Sequence, residues 1–373
     1  MKKNFLFKFS AIAMSLILIA CGGSTSEDVV ETETTAIESE ESLNVVVTTP
    51  MLGEFVKQVA GDSVVLDVLM PAEADPHTYD PSPQDAAKIA DADIVLYVGI
   101  KYETSSLLKL IENTASTNAT LLEIGEEIDP IEFKDGEHDH GNHDDHDEEG
   151  HDDEDGHDDH DEEGHDDDKD HDHDDEDGHD DHDEEGHEGH EGHDHGSEDP
   201  HFWFDPVRVA MAVEVIKDSL VSLDPANTST YEANADNFIS ELTDLDAQVK
   251  ELIESVSEDN RKIVTTHEAL GYLEARYGIE VFATIIPSLS TADEISPSQI
   301  ADVIDVIEDN NIKVLFVESE APSVYAETVA AEAGITAVTG LYVETLKDGQ
   351  TYSDFLISNV TLIVESLNSA GEG

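Results

Sequence analysis

The sequence predicts an α/β fold of two similar lobes joined by one long rigid helix, interrupted by an insertion that cannot pack. Three observations carry this. Strand-like and helix-like segments alternate in both halves of the chain, the pattern of parallel sheets covered by helices. One helical repeat runs from Tyr231 to Val256 without Pro or Gly. The segment 137–198 consists almost entirely of His, Asp, Glu and Gly.

At the N-terminus, Lys2, Lys3 and Lys8 precede the apolar run Phe9–Ala20, which stops at Cys21. The run is too short for a spanning helix and has the form of a secretory signal. Leu18-Ile-Ala-Cys21 resembles the bacterial lipoprotein box, so lipidation of Cys21 after cleavage is expected. Cys21 is the only cysteine, which leaves no internal disulfide. From Gly22 to Ser42, Ser, Thr, Glu and Gly read as a flexible tether. The folded part is expected outside the cytoplasm, held at a bacterial membrane by lipid.

The first lobe begins with a strand over 43–47, a helix over 52–60 and a strand over 64–70. A loop with four prolines between Pro71 and Pro83 follows. Ser82-Pro83 then supplies an N-cap and first-turn proline for a helix to about Ala90, ahead of a strand over 94–98. The second half repeats this order: strand 262–266, helix 268–277, strand 281–286, a helix opened by Ser296-Pro297, and strand 314–318. The repetition hints at two copies of one lobe.

Between the halves, Tyr231, Ala235, Phe238, Leu242, Leu245, Val249, Leu252 and Val256 recur at steps of three and four. A helix over 227–258 would span about 45 Å, enough to act as a strut along both lobes. A coiled-coil dimer is the other reading of such a stripe, but more heptads with charge-matched flanks would be needed; a monomer is expected.

The formal net charge is −73, which excludes a nucleic-acid partner because a phosphate backbone would be repelled. The segment 137–198 holds 34 of the 90 acidic residues and a single base, Lys169. It has no apolar residues with which to build a core, so it is expected to be disordered without metal. Within it HDDHDEEGH occurs at 143–151, 157–165 and 179–187. These repeats supply His143, His146 and His151, then His157, His160 and His165, then His179, His182 and His187. Surrounding carboxylates should keep these imidazoles protonated to higher pH, so metal must compete with protons, and weak accessory sites are expected.

Sixteen of the 19 histidines lie in that segment; the others are His77, His201 and His267. His77 sits in the proline-stiffened loop after a strand, and His201 in Asp199-Pro-His-Phe-Trp-Phe. His267 ends a predicted strand, the end at which open α/β sheets bind ligands. Three convergent imidazoles suit Zn2+, with a carboxylate to complete a tetrahedron. Candidates are Glu268, Glu318, Glu320 and Glu344, and the sequence does not separate Glu318 from Glu344.

The motifs come in a recognisable order. They are Asp75-Pro-His-Thr-Tyr79 with Pro81-Ser-Pro83, Ala90-Asp-Ala-Asp93, Asp199-Pro-His-Phe-Trp203 and Thr266-His-Glu-Ala-Leu-Gly-Tyr272. Tyr277-Gly278, Ile295-Ser-Pro297, Phe316-Val-Glu318 and Leu341-Tyr-Val-Glu-Thr-Leu346 follow, then Tyr352 and Asn359. The set resembles the substrate-binding lipoproteins of bacterial zinc and manganese ABC importers, from Leu43 to Leu367 apart from the insertion.

The resemblance implies two Rossmann-like lobes bridged by a rigid helix, with metal in the interlobe cleft. The ligands would be His77, His201, His267 and Glu344, with Glu318 as the alternative carboxylate. Where relatives often continue Leu-Tyr-Val with Asp-Ser, this chain has Glu344-Thr345, one methylene longer. The implied function is capture of extracytoplasmic Zn2+ for a membrane permease and its ATPase, with Mn2+ as the alternative cargo. A His-rich acidic insertion is also a feature of zinc-type members. A zinc-dependent hydrolase or hydratase is the rival of another class, but no Ser-centred elbow or HExxH appears, and an enzyme is not expected.

The expected divisions are a signal peptide over 1–20, lipidated Cys21 and tether over 21–42, and a first lobe over 43–136. The insertion occupies 137–198, and the first lobe resumes at 199–226. The linking helix covers 227–258 and the second lobe 259–373.

Overall fold

The computed structural model describes residues 42–133, 198–320 and 324–371. The signal-peptide stretch, Cys21, the tether before Ser42 and the histidine repeats lie outside the described residues.

In the first lobe β1 (Leu43–Val47), α1 (Pro50–Ala60), β2 (Val64–Val68), α2 (Pro83–Ala90), β3 (Ile94–Tyr97), α3 (Ser105–Thr114) and β4 (Thr120–Glu123) follow in order. Their strands form a wholly parallel sheet in the order β2-β1-β3-β4. The Ser82-Pro83 signal works as read. The Ser82 hydroxyl accepts the N–H of Asp85, the Asp85 carboxylate accepts that of Ser82, and Pro83 opens α2.

After the insertion come α4 (Pro206–Leu223) and α5 (Thr228–Glu254). The second lobe holds β5 (Lys262–His267), α6 (Gly271–Tyr277), β6 (Glu280–Ile286), α7 (Pro297–Asp309), β7 (Val314–Glu318), α8 (Val324–Ala333), β8 (Thr336–Leu341) and α9 (Tyr352–Gly371). This sheet is also parallel, in the order β6-β5-β7-β8. In both lobes the first strand lies between the second and third, and Ser296 repeats the capping box of Ser82, here with Gln299. The hint of duplicated lobes is thus a shared topology.

Strand alternation sorts side chains into three cores. Val45 and Val47 of β1, Ile94 and Leu96 of β3, and Val314 and Phe316 of β7 point into one large core that draws on both lobes. Val46 and Val95 face a separate first-lobe core with Leu107 and Ile111, whereas Val264, Leu315 and Val317 face a second-lobe one.

The linking helix α5 packs against α1 and α4 on one side of the molecule and against α9 of the other lobe. It buries Tyr231, Ala235, Phe238, Leu242, Leu245, Val249 and Ile253. It is a turn shorter than its periodicity suggests, closing at Glu254, and its length is about 40 Å. The stripe also steps from Val249 to Ile253, leaving Leu252 half-buried; Val256 is buried beyond the helix end. Among the described residues no helix is long and apolar enough to cross a membrane.

Candidate metal centre

Each of the four residues brought together is placed by a different local device. His77 lies in the loop between β2 and α2, where Asp75 Oδ1 accepts its main-chain N–H at 3.0 Å. His201 precedes a 3-10 turn, Phe202–Phe204, whose three aromatic side chains are fully buried and pin it down. His267 is the last residue of β5, at the carboxyl end of the sheet. Glu344 follows β8 on a turn clamped by Asn359 of α9, which accepts the N–H of Tyr342 at 3.1 Å and donates to its carbonyl at 2.7 Å.

One donor atom from each of His77, His201, His267 and Glu344 lies within 4.8 Å of all the others. Glu344 Oε1 is 3.4 Å from Nε2 of His77, 3.3 Å from that of His201 and 2.7 Å from that of His267. All four side chains are buried, yet the three Nε2 atoms and both Glu344 oxygens have no well-directed hydrogen-bond partner. Buried polar atoms left unpaired cost roughly 1–3 kcal/mol each, so four of them gathered within 4.8 Å mark a place built for something else to bind. The donor set, three imidazole nitrogens and a carboxylate, fits a divalent transition metal in tetrahedral coordination.

The outer partners fix which nitrogen faces inward. Asp199 Oδ1 receives both the main-chain N–H and the ring Nδ1 of His201, each at 2.8 Å. Glu318 Oε2 meets Nδ1 of His267, while Oε1 accepts the main-chain N–H groups of Thr266 and His267, each at 3.1 Å. In both rings Nδ1 is taken up by the carboxylate behind it and Nε2 faces the centre, the nitrogen that a metal would displace a proton from. Of the two carboxylates open from sequence, Glu344 lies among the imidazoles and Glu318 behind one of them. Glu320 accepts the main-chain N–H of Glu344 at 3.4 Å, and Glu268 accepts the Thr284 hydroxyl at 2.9 Å.

Electrostatics follow from this crowding. Burial alone would raise the Glu344 carboxyl, but His201 and His77 hold it well below the usual range. Burial pushes His201 down, yet the Glu344 and Asp199 carboxylates outweigh it and carry the imidazole to about 9. His267 is likewise opposed by burial and driven well above its ordinary value by Glu318 and Glu344. Burial lifts Glu268 to about 7, and burial with the neighbouring Glu344 charge lifts Glu320 to about 8.

The two lobes meet around the centre. Tyr102 sets its ring edge-on to His77 at 5.1 Å between centroids and donates its hydroxyl to the Glu344 carbonyl at 3.1 Å. Trp203 Nε1–H donates to the Val343 carbonyl at 2.7 Å, and Tyr272 donates to the Asp199 carbonyl at 2.9 Å. Tyr102 carried no sequence signal. Asp199 and Asp75 stood in view within a repeated Asp-Pro-His but did not stand out as holding the histidines.

The nine histidines of the repeats lie outside the described residues. The residues at either end of the insertion are described. Glu132 and Glu198 pair as an antiparallel bridge, and Ile131, Glu132 and Asp199 line a cavity of about 430 Å³ with Glu268 and Gly271. The insertion therefore returns to the fold three residues before His201.

A family model described as the periplasmic zinc-uptake complex component A matches residues 45–366. The chain is 24% identical over 372 residues to the manganese-binding lipoprotein MntA of Halalkalibacterium halodurans, covering 98% of this chain and 99% of that one. It is 29% identical over 385 residues to the zinc-binding lipoprotein AdcA of Streptococcus pneumoniae, covering all of this chain and 62% of the relative. Among solved structures it is similar to the periplasmic zinc-binding protein TroA from Treponema pallidum. The TM-score is 0.66 at 21% identity, over 87% of this chain and 98% of that one.

Proposed function

This chain belongs to the family of the periplasmic zinc-uptake complex component A, and from that premise we propose that it is the extracytoplasmic solute-binding component of a metal ABC importer. It captures Zn2+ and passes it to a membrane permease driven by an ATPase. A lipid on Cys21 and the following tether hold it at the membrane as a monomer. The first lobe comprises residues 43–136 and 199–226 and the second 259–373. The ligands are His77, His201, His267 and Glu344, and the observation that carries the reading is the convergence of their buried, unpartnered donor atoms.

The role is binding and not turnover. Four protein ligands close a tetrahedron and leave no position for an activated water, which a hydrolase or hydratase of the three-histidine type needs. Three nitrogens favour Zn2+ over Mn2+, which prefers an oxygen-rich shell. Mn2+ is the second reading, because relatives named for manganese binding align along nearly the whole chain. The acidic His-rich insertion favours zinc and would serve as a weak, exchangeable collector near the cleft.

The test is competitive Zn2+/Mn2+ titration of protein lacking residues 137–198, with elemental analysis of the retained metal. Retention of one Zn2+, abolished by His77→Ala, His201→Ala or His267→Ala, is expected. Manganese retained in preference to zinc overturns the cargo assignment, and unchanged binding in all three variants overturns the site.

A further inference from the structure

Asp75 and Asp199 open the same tripeptide, Asp-Pro-His, and start it the same way. Each uses Oδ1 to accept the main-chain N–H of the histidine two residues on, at 3.0 Å for His77 and 2.8 Å for His201. They differ in what else they hold. Asp199 turns back on the ring of its own histidine, with Nδ1 2.8 Å from Oδ1. Asp75 reaches across the cleft, and its Oδ2 accepts the hydroxyl of Thr291 in the second lobe at 2.6 Å.

Thr291 is buried, and its loop is fastened to the strand that carries His267. β6 pairs with β5 at His267 and Ile286, and the Ser288 carbonyl accepts the N–H of Glu268 at 3.0 Å. A path of hydrogen bonds therefore joins the main chain of His77 to that beside His267 without passing through the centre. Other cross-lobe partners, Tyr102, Trp203 and Tyr272, are embedded in the large shared core. Asp75 and Thr291 instead meet through a single side-chain hydrogen bond between two loops.

We propose that Asp75 is a positioning residue and that its bond to Thr291 is a cross-cleft latch. The latch holds His77 against the second-lobe ligands, and its opening sets how fast the cation leaves. The inference rests on the metal-carrier reading above and adds a release step to it.

The test uses the full chain with Thr291→Val, which keeps the branched shape and removes the hydroxyl, and Thr291→Ser, which restores it. Zn2+ dissociation into excess chelator is followed by stopped flow, and backbone amide exchange over 75–78 is measured on metal-free protein. Thr291→Val is expected to release Zn2+ about tenfold faster, as loss of one charge-assisted hydrogen bond implies, and to speed exchange at 75–78. Thr291→Ser should behave as the unaltered chain, and Thr291→Ala serves in place of Thr291→Val if the latter does not fold. Release and exchange both unchanged in Thr291→Val overturn the latch, as does Thr291→Ser releasing metal as fast as Thr291→Val. Failure of the unaltered chain to retain Zn2+ would instead sink the carrier reading, and the metal-free exchange would still decide the latch.

Discussion

Glu318 grips His267 at two points: Oε1 accepts its main-chain N–H at 3.1 Å, and Oε2 meets its ring Nδ1. Replacing this carboxylate by an amide keeps the shape and removes the charge that makes Nε2 a stronger donor. Glu318→Gln should therefore lower Zn2+ affinity about 10- to 100-fold, the usual cost of losing such an outer partner, without loss of fold. Competition with a calibrated chelator measures it, alongside circular dichroism of the metal-free protein. An unchanged affinity would show that the contact does not tune the ligand.

The His201 imidazole stands at about 9 through Glu344 and Asp199, against burial, so it is protonated at pH 7.5. Coordination must expel that proton. Calorimetry at pH 7.5 in buffers of different ionisation enthalpy should show net proton release on Zn2+ binding, and affinity should climb with pH up to about 9. The same shift has a stability consequence in the metal-free protein. A base whose pKa is raised on folding contributes stability that is fully present below the unfolded value of 6.5 and lost as pH rises through about 9. The metal-free Tm contribution from His201, taken as the difference from His201→Gln, should shrink across that window. Binding without proton release contradicts the assignment.

Asn359 is 2% exposed and satisfies both main-chain groups of Tyr342, two residues before Glu344. Asn359→Leu leaves a half-buried main-chain N–H and C=O unpaired. It should destabilise the protein by about 2–4 kcal/mol by urea denaturation and weaken Zn2+ binding through the freed turn. Destabilisation with full affinity would mean that the turn holds Glu344 without its clamp.

Removing residues 137–198 should leave a primary site of unchanged affinity while the number of weakly held Zn2+ ions falls sharply. Equilibrium dialysis with elemental analysis gives both quantities. A large loss of tight binding would place a primary ligand inside the insertion.

Much of this arrangement was legible in the residues. Ser82-Pro83 and Ser296-Pro297 announce helix starts because capping is local, and each is realised as a capping box. The linking helix was visible because its stripe holds period over many turns; its end was not, since Glu254 to Val256 continue the polarity pattern after the hydrogen-bond ladder stops. The short β4 and the helices α3, α4, α8 and α9 carry no clear signal in the sequence. β4 has four residues, and the burial pattern of α4 is shared among several packing partners, α1 and α5 foremost.

The candidate site divides in the same way. Sequence by itself determined the strand–helix alternation of the lobes, the strut and the three histidines set apart from the repeats, because periodicity, capping and residue chemistry are local properties. Tertiary structure decided which carboxylate meets them. Glu318 and Glu344 both lie at or just beyond the carboxyl ends of neighbouring strands, and nothing in their flanking residues separates them. A shift of register between Val317 and Glu318 accompanies the turn of Glu318 onto the outer nitrogen of His267, while Asn359, Trp203 and Tyr102 hold the Glu344 turn over the centre. Those partners lie 15 to 242 residues away in the chain, and only folding brings them into contact.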